Sequence, residues 1–175
     1  MPAGLADNFF KLFEFPQAFL VDDVILAERY QNLQRVVHPD RFASSGDRDR
    51  RIAMQLAAHV NEAYQTLISP VSRAIYLLGL FGIDVESVSI QDTQFLMQQM
   101  TLRENLEKIQ SAGNLRYENL LQEFVASLSQ SEKLLQTELE VCFDQGTDAS
   151  LHEAARVVHK MQFFNRLQIS AGEAK

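Results

Sequence analysis

Tryptophan is absent from this 175-residue chain, and cysteine occurs once, at Cys142. A lone cysteine excludes an internal disulfide and a cysteine-built zinc site. On a helix face it reads as a small apolar side chain rather than a nucleophile. Only 7 glycines and 4 prolines punctuate the sequence, and period-two runs of Val, Ile and Thr are missing, which excludes a strand-rich fold. The longest apolar runs, such as IYLLGLFGI (Ile75–Ile83), are too short to span a bilayer, so no membrane partner is expected. The opening MPAGLADNFF has no basic region before an apolar stretch, which argues against a secretory leader and for a reducing cytoplasm. Positive charge is not in excess either. A net charge of −7 argues against non-specific nucleic-acid binding, which rests on phosphate neutralisation.

What remains is helix. Hydrophobic residues make up 46% of the chain, enough for one large or two small cores. A short helix is expected around Asn8–Glu14, ended before Pro16. A second begins near Val21–Asp23, with Leu26, Tyr30, Leu33 and Val37 as its apolar stripe and Arg35 pointing away from it. A third, about Asp47–Ile68, carries Ile52, Leu56, Val60, Ala63 and Leu67, and pairs antiparallel with the second. Ser69 and Pro70 then read as the cap and first residue of a fourth helix. Beyond a polar boundary, three helices are expected at Asp92–Ser111, Asn114–Phe143 and Asp148–Ser170, separated by SAGN and DQGTD. The longest of them carries Tyr117, Leu121, Phe124, Leu128, Leu135 and Cys142 as its core stripe. The fold class is therefore all-α. Its N-terminal domain is residues 1–80, a linker covers 81–91, and a C-terminal three-helix bundle covers 92–175.

Charge is divided unevenly between these parts. Residues 1–80 hold 8 basic and 9 acidic side chains, whereas the remainder holds 8 and 14. Arg29, Arg35, Arg41, Arg48, Arg50 and Arg51 crowd the sequence around RVVHPDRFA (Arg35–Ala43). An acidic body with a local basic patch suits a specific acidic partner, unless Asp47 and Asp49 simply pair with the arginines.

His38, Pro39 and Asp40 sit where Pro39 stops the second helix. A His–Asp dyad would need a nucleophile and an oxyanion site, and a metal would need three or four convergent ligands. Neither pattern accompanies the triplet, and His59, His152 and His159 form no ligand set with one another. His59 falls near a core stripe, and His152 and His159 read as solvated. The triplet is better suited to recognition: a proline-fixed turn offering an imidazole and a carboxylate.

On the helix from Asp92, Phe95, Leu102, Leu106 and Ile109 form one stripe. Leu96, Met97 and Met100 lie well off it, bordered by Arg103 and Glu104. Such a second apolar face either packs against the N-terminal domain, through Ile75, Leu78 or Phe81, or binds a partner. Phe163 lies opposite the Leu151, Ala155 and Val158 stripe of the last helix, so it is expected to be exposed, with Phe164 as the competing aromatic.

The run YQNLQRVVHPDRF, the helix ending NEAYQTLISP and the following SRAIY resemble a J domain, the module of DnaJ-type co-chaperones. With RAIYLLGLFG and DTQFLMQQMTLRENLEKI, nearly the whole chain resembles the HscB-type J-proteins of iron–sulfur cluster assembly. The resemblance implies a non-enzymatic co-chaperone without a cofactor, acting on an HscA-type, DnaK-class chaperone whose ATPase it stimulates. His38, Pro39 and Asp40 would dock there, aided by Arg29, Arg35 and Arg41. Gln31 departs from the family, standing where many J domains carry a basic residue. The resemblance also implies an IscU-type scaffold as cargo, bound by Leu96, Met97, Met100, Arg103, Glu104 and Phe163. Thr101 stands where some relatives carry glutamate, and the N-terminal zinc-binding cysteines of some eukaryotic relatives are absent. The alternative is a general J-domain co-chaperone for unfolded clients.

Overall fold

A computed structural model describes residues 8–38, 46–90, 92–111 and 114–173. The described residues form seven α-helices and no strand, so the all-α expectation holds. They are α1 (Phe9–Leu12), α2 (Asp23–Val37), α3 (Asp47–Ile68), α4 (Pro70–Leu80), α5 (Thr93–Gln110), α6 (Asn114–Gln145) and α7 (Asp148–Glu173). A single 3-10 turn, Val85–Ser87, lies between α4 and α5. The chain divides into two compact units, 1–77 and 78–175.

In the first unit, capping residues set the helix starts. The Asp22 carboxylate accepts from Val24 N–H at 2.9 Å and Ile25 N–H at 3.1 Å. This satisfies donors that α2 leaves unpaired at its first turn. Ser69 Oγ does the same for Ser72 N–H at 3.3 Å, with Pro70 in the first helical position, where its missing N–H costs nothing. α2 and α3 pack as an antiparallel pair: Tyr30 stacks on Tyr64 at 4.0 Å, while Tyr30 Oη and the Gln34 amide both donate to Asn61 Oδ1. α1 lies against α3, where Phe9 meets His59 edge-on at 5.5 Å. Phe9 also stacks on Tyr76 at 4.4 Å, and its N–H donates to the Tyr76 hydroxyl at 2.9 Å. Arg73 is buried; its Nη1 donates to the Leu67 carbonyl at 2.6 Å and lies 3.7 Å from Asp23. The Arg73 and Tyr76 of SRAIY thus lock α4 onto the older part of the unit.

The core stripe of α3 differs from the expected one in one member. Ala53, Val60, Ala63 and Leu67 are buried, whereas Ile52 is exposed. A core seam needs alternating steps of three and four, as in 53, 56, 60, 63, 67. Two successive steps of four drift about 40° each from the seam, which puts Ile52 at its edge.

In the second unit α7 is the central element, packed by α6, α5 and the 85–87 turn. Its Leu151, Ala154, Ala155, Val157, Val158, Met161, Phe163, Phe164, Leu167 and Ala171 are all buried. A helix covered on more than one side loses the single-stripe signature. The α6–α7 junction is tightly closed. Gly146 takes a left-handed φ of 59° after α6, and Thr147 and Ser150 cap α7 reciprocally, each backbone N–H donating to the other's hydroxyl at 3.0 and 3.1 Å. The buried Ser150 hydroxyl also donates to the Cys142 carbonyl at 2.9 Å. Cys142 itself is buried, and burial pushes its thiol above the ordinary range.

His159 departs from the solvated reading. Its Nε2 is 2.9 Å from both the Val85 and the Val88 carbonyl oxygens. Two acceptors on one ring nitrogen require that Nε2 carry the proton. His159 therefore ties the turn that follows α4 to α7, inside the stretch expected to be a linker.

Candidate functional site

Two regions gather the residues singled out by sequence. The first is the C-terminal end of α2. His38 is the C-cap, exposed, with φ −58° and ψ 127°. That extended geometry is what a following proline imposes. Pro39, Asp40 and Arg41, and with them Phe42, lie outside the described residues.

The arginines of this unit differ in what they do. Arg29 is half-buried, and its Nη1 donates to the Phe13 carbonyl at 2.5 Å and the Glu14 carbonyl at 2.8 Å. Its guanidinium also sits 4.6 Å from the centre of the Phe15 ring. Glu14 adopts a left-handed φ of 57°, so Arg29 caps a strained chain reversal at the end of α1. Arg29 Nη1 is thus engaged within the unit, where it holds the end of α1. Arg35 is exposed on the outward side of α2, with Asn32 Oδ1 3.5 Å away and Glu28 two turns back on the same side. Arg48 and Arg51 are exposed on α3, and neither has an ion pair among the described residues. Arg50 alone pairs with Asp47, at 2.6 Å.

The second region is α5. Its start is fixed by Asp92, whose carboxylate accepts from Phe95 N–H at 2.9 Å and lies 3.0 Å from Lys160 Nζ on α7. The backbone hydrogen bond first, and then the lysine, hold the Asp92 carboxyl below the usual range. This cap sets the rotation of α5. Phe95 and Leu106 turn inward to the core, and Leu102 and Ile109 pack against it half-buried, as expected. Leu96, Met97 and Met100 remain 52%, 64% and 64% exposed, with Arg103 and Glu104 also exposed beside them. At 100° per residue these five side chains share an arc of about 120°.

Phe163 does not join that surface as an exposed ring. Both it and Phe164 are buried, at 4% and 3% exposure, which corrects the expectation that one of them faces solvent. The cause is α5, whose Phe95 and Leu106 join Leu121, Phe124 and Leu128 of α6 in one core around the two rings. Phe95 meets Phe163 edge-on at 5.7 Å, and Phe164 meets Phe163 at 5.7 Å. What reaches the surface is Arg103, whose guanidinium lies 5.6 Å from the Phe163 ring centre. Phe163 supports the arginine from below. The signal for this was the adjacent pair Phe163–Phe164, since neighbours stand about 100° apart on a helix and both are buried only beneath a broad covered face.

Among the described residues no group of three or more His, Cys, Asp or Glu converges as a metal site would require, and no helix is long and apolar enough to cross a membrane. A cavity of about 610 Å³ in the second unit is lined by Asp92, Glu153, Arg156 and Lys160 together with Ser89, Ile90 and Thr93. Its charges are mutually satisfied: Arg156 lies 2.6 Å from Glu153, and Lys160 pairs with Asp92.

Comparison with known proteins fits this architecture. A family described as "HSCB C-terminal oligomerisation domain" matches residues 91–171. The chain is 41% identical over 164 residues to a protein named "Co-chaperone protein HscB homolog" from Shewanella woodyi, covering 93% of each chain. It is 41% identical over 172 residues to one of the same name from Paraburkholderia phymatum, covering 97% of this chain and 95% of that one. The solved structure of chaperone HscB from Vibrio cholerae superposes with a TM-score of 0.83 at 35% identity, covering 95% of this chain and 96% of the other. That of human co-chaperone protein HscB gives 0.86 at 29% identity, covering 98% and 84%.

Proposed function

The chain belongs to the HscB family of co-chaperones, and from that premise we propose that it joins an IscU-type iron–sulfur scaffold to an HscA-type, DnaK-class chaperone. The scaffold binds the exposed face of α5. The turn begun by His38 docks on the chaperone and stimulates its ATPase. Residues 1–80 act as the J domain and residues 92–175 as the scaffold-binding domain. The protein performs no chemistry of its own; it couples two binding events, and the coupling free energy is its output.

The observation that carries this reading is the two-sided character of α5. Its inward side is committed to the core through Phe95 and Leu106, so the outward Leu96, Met97 and Met100 contribute nothing to it. Three large apolar side chains held in water on one arc are costly to keep without a partner. Methionine adapts to an opposing surface, while Arg103 and Glu104 supply a polar rim of both signs. Arg103 is held over Phe163, so its head is presented with less rotamer freedom to lose on binding.

In the first unit, His38 is exposed and Arg35 points outward from the same helix. Arg29, whose Nη1 is anchored on the Phe13 and Glu14 carbonyls, joins Arg35 and Arg41 as the docking arginines beside His38, Pro39 and Asp40. The experiment is calorimetric titration of an IscU-type scaffold into the protein and into a Leu96→Ala, Met97→Ala, Met100→Ala variant. Weakening by a few kcal/mol, as truncated hot spots give, supports the assignment. Unchanged affinity removes it.

A further inference from the structure

The basic charge of the first unit is not where an outward-facing α2 would put it. On α2, Arg35 shares its exposed side with Glu28, Gln31 and Val24, so that side carries no net charge. The exposed cations are at the start of α3 instead. Arg48 and Arg51 have no carboxylate within ion-pair distance among the described residues, and the competing Asp47 is engaged by Arg50. Asp47 and Asp49 also occupy the first turn of α3, where the helix dipole favours them. The self-paired alternative therefore accounts for Arg50 only.

Geometry places these two arginines together. At 100° per residue, Arg48, Arg51, Ile52 and Gln55 fall within an arc of about 100°, away from the Ala53–Val60–Ala63 seam. Ile52 is 42% exposed there, so an apolar side chain sits among the charges. The pairing of Tyr30 with Tyr64 and of Gln34 with Asn61 sets the register of the α2–α3 pair. In that register His38 is level with about residue 57, and Arg51 lies roughly 9 Å further along α3 at 1.5 Å per residue. Both arginines thus stand at the same end of the pair as His38, beyond it.

We infer that the first two turns of α3 form a second docking arm, in which Arg48 and Arg51 engage an acidic protein surface of the DnaK-class ATPase while His38 reaches its trigger point. The inference rests on the chaperone-docking reading above and adds a division of labour to it. The α3 arm sets how readily the complex forms, and the His38 turn sets what the complex does. Complementary charges outside the trigger act mainly on association and on its salt dependence. The short Debye length at physiological salt, about 8 Å, confines the effect to a partner in near contact.

The test measures steady-state ATPase stimulation of an HscA-type chaperone as a function of co-chaperone concentration at low and physiological salt. The full chain, an R48E/R51E variant and an R48A/R51A variant are compared. Both arginines are exposed, and an unchanged circular dichroism melt verifies the fold. The expected result is a rise in half-maximal concentration of about tenfold for R48E/R51E at low salt, and less for R48A/R51A. Maximal stimulation should be retained and the gap should narrow as salt rises. A half-maximal concentration within about twofold of wild type overturns the inference, as does a lost maximum with unchanged half-maximal concentration. Loss of binding to anionic vesicles or to single-stranded RNA, with stimulation untouched, also overturns it and makes the patch a polyanion site. Absence of stimulation by the unmodified chain sinks the docking reading itself, an outcome separate from failure of the α3 arm alone.

Discussion

Replacing Phe163 with alanine separates a supporting ring from a contact ring. The ring is 4% exposed and meets Phe95 and Phe164 edge-on, each at 5.7 Å, with Arg103 above it at 5.6 Å. Truncating a buried Phe to Ala costs about 3–5 kcal/mol, the lost transfer energy plus the cavity left behind. Two aromatic pairs vanish with it, each worth about 0.5–1.5 kcal/mol beyond area, and this favours the upper half of that range. For a unit of about 100 residues, each kcal/mol shifts Tm by roughly 4–8 °C. The second unit should therefore melt at least 12 °C lower, from about 3 kcal/mol at 4 °C each. Phe163→Leu keeps most of the volume and should lose less than half as much. Thermal unfolding followed by circular dichroism, with scaffold titration below the transition, supplies both readouts. If Phe163→Ala melts within about 2 °C of wild type yet loses scaffold binding, the ring is an exposed contact and the packing described here is wrong.

Three further outcomes are expected. The Leu96→Ala, Met97→Ala, Met100→Ala variant should keep its denaturation midpoint, since surface substitutions usually change stability by less than about 0.5 kcal/mol each, while losing scaffold affinity; a large drop in midpoint would mean that these side chains are core. Ser150→Ala keeps its backbone bond to Thr147 but removes the hydroxyl that accepts from Thr147 N–H and donates to the Cys142 carbonyl, so urea unfolding should show a loss of about 1–3 kcal/mol; no loss would refute the closed junction. Asp92→Asn retains the cap but loses the charge facing Lys160. Because the folded Asp92 carboxyl is lowered, its stabilising effect is present above the unfolded value of about 3.9 and disappears as pH falls through the lower folded value. The stability difference between wild type and Asp92→Asn should thus be present at neutral pH and close in acid; a constant difference down to about pH 2 would contradict the pairing.

How much of this was legible in the sequence depended on how many sides of a helix are covered. α3 and α5 each bury one side, and their periodicity located Val60, Ala63 and Leu67 on the first and Phe95 and Leu106 on the second. Chain punctuation did as well: Pro39 foretold the end of α2, Pro70 the start of α4, and Gly146 the break before α7. α7 was misread because two neighbours cover it, so Phe163, opposite one stripe, is buried beneath α5 rather than left in water. The inward contacts of Arg29 were invisible for a related reason. Its role depends on the carbonyls of Phe13 and Glu14, sixteen and fifteen residues earlier, and helical spacing within α2 carries no trace of them. His159 likewise serves carbonyls more than seventy residues away. Local pattern reports faces; it does not report partners brought in by the tertiary fold.

The central claim is that the turn beginning at His38 triggers hydrolysis in a partner while a separate surface holds the cargo. The most direct measurement is single-turnover ATP hydrolysis by an HscA-type chaperone with wild-type protein or His38→Gln, alongside scaffold titration of both. The account predicts that His38→Gln abolishes stimulation and binds the scaffold with unchanged affinity. Normal stimulation by His38→Gln would contradict it.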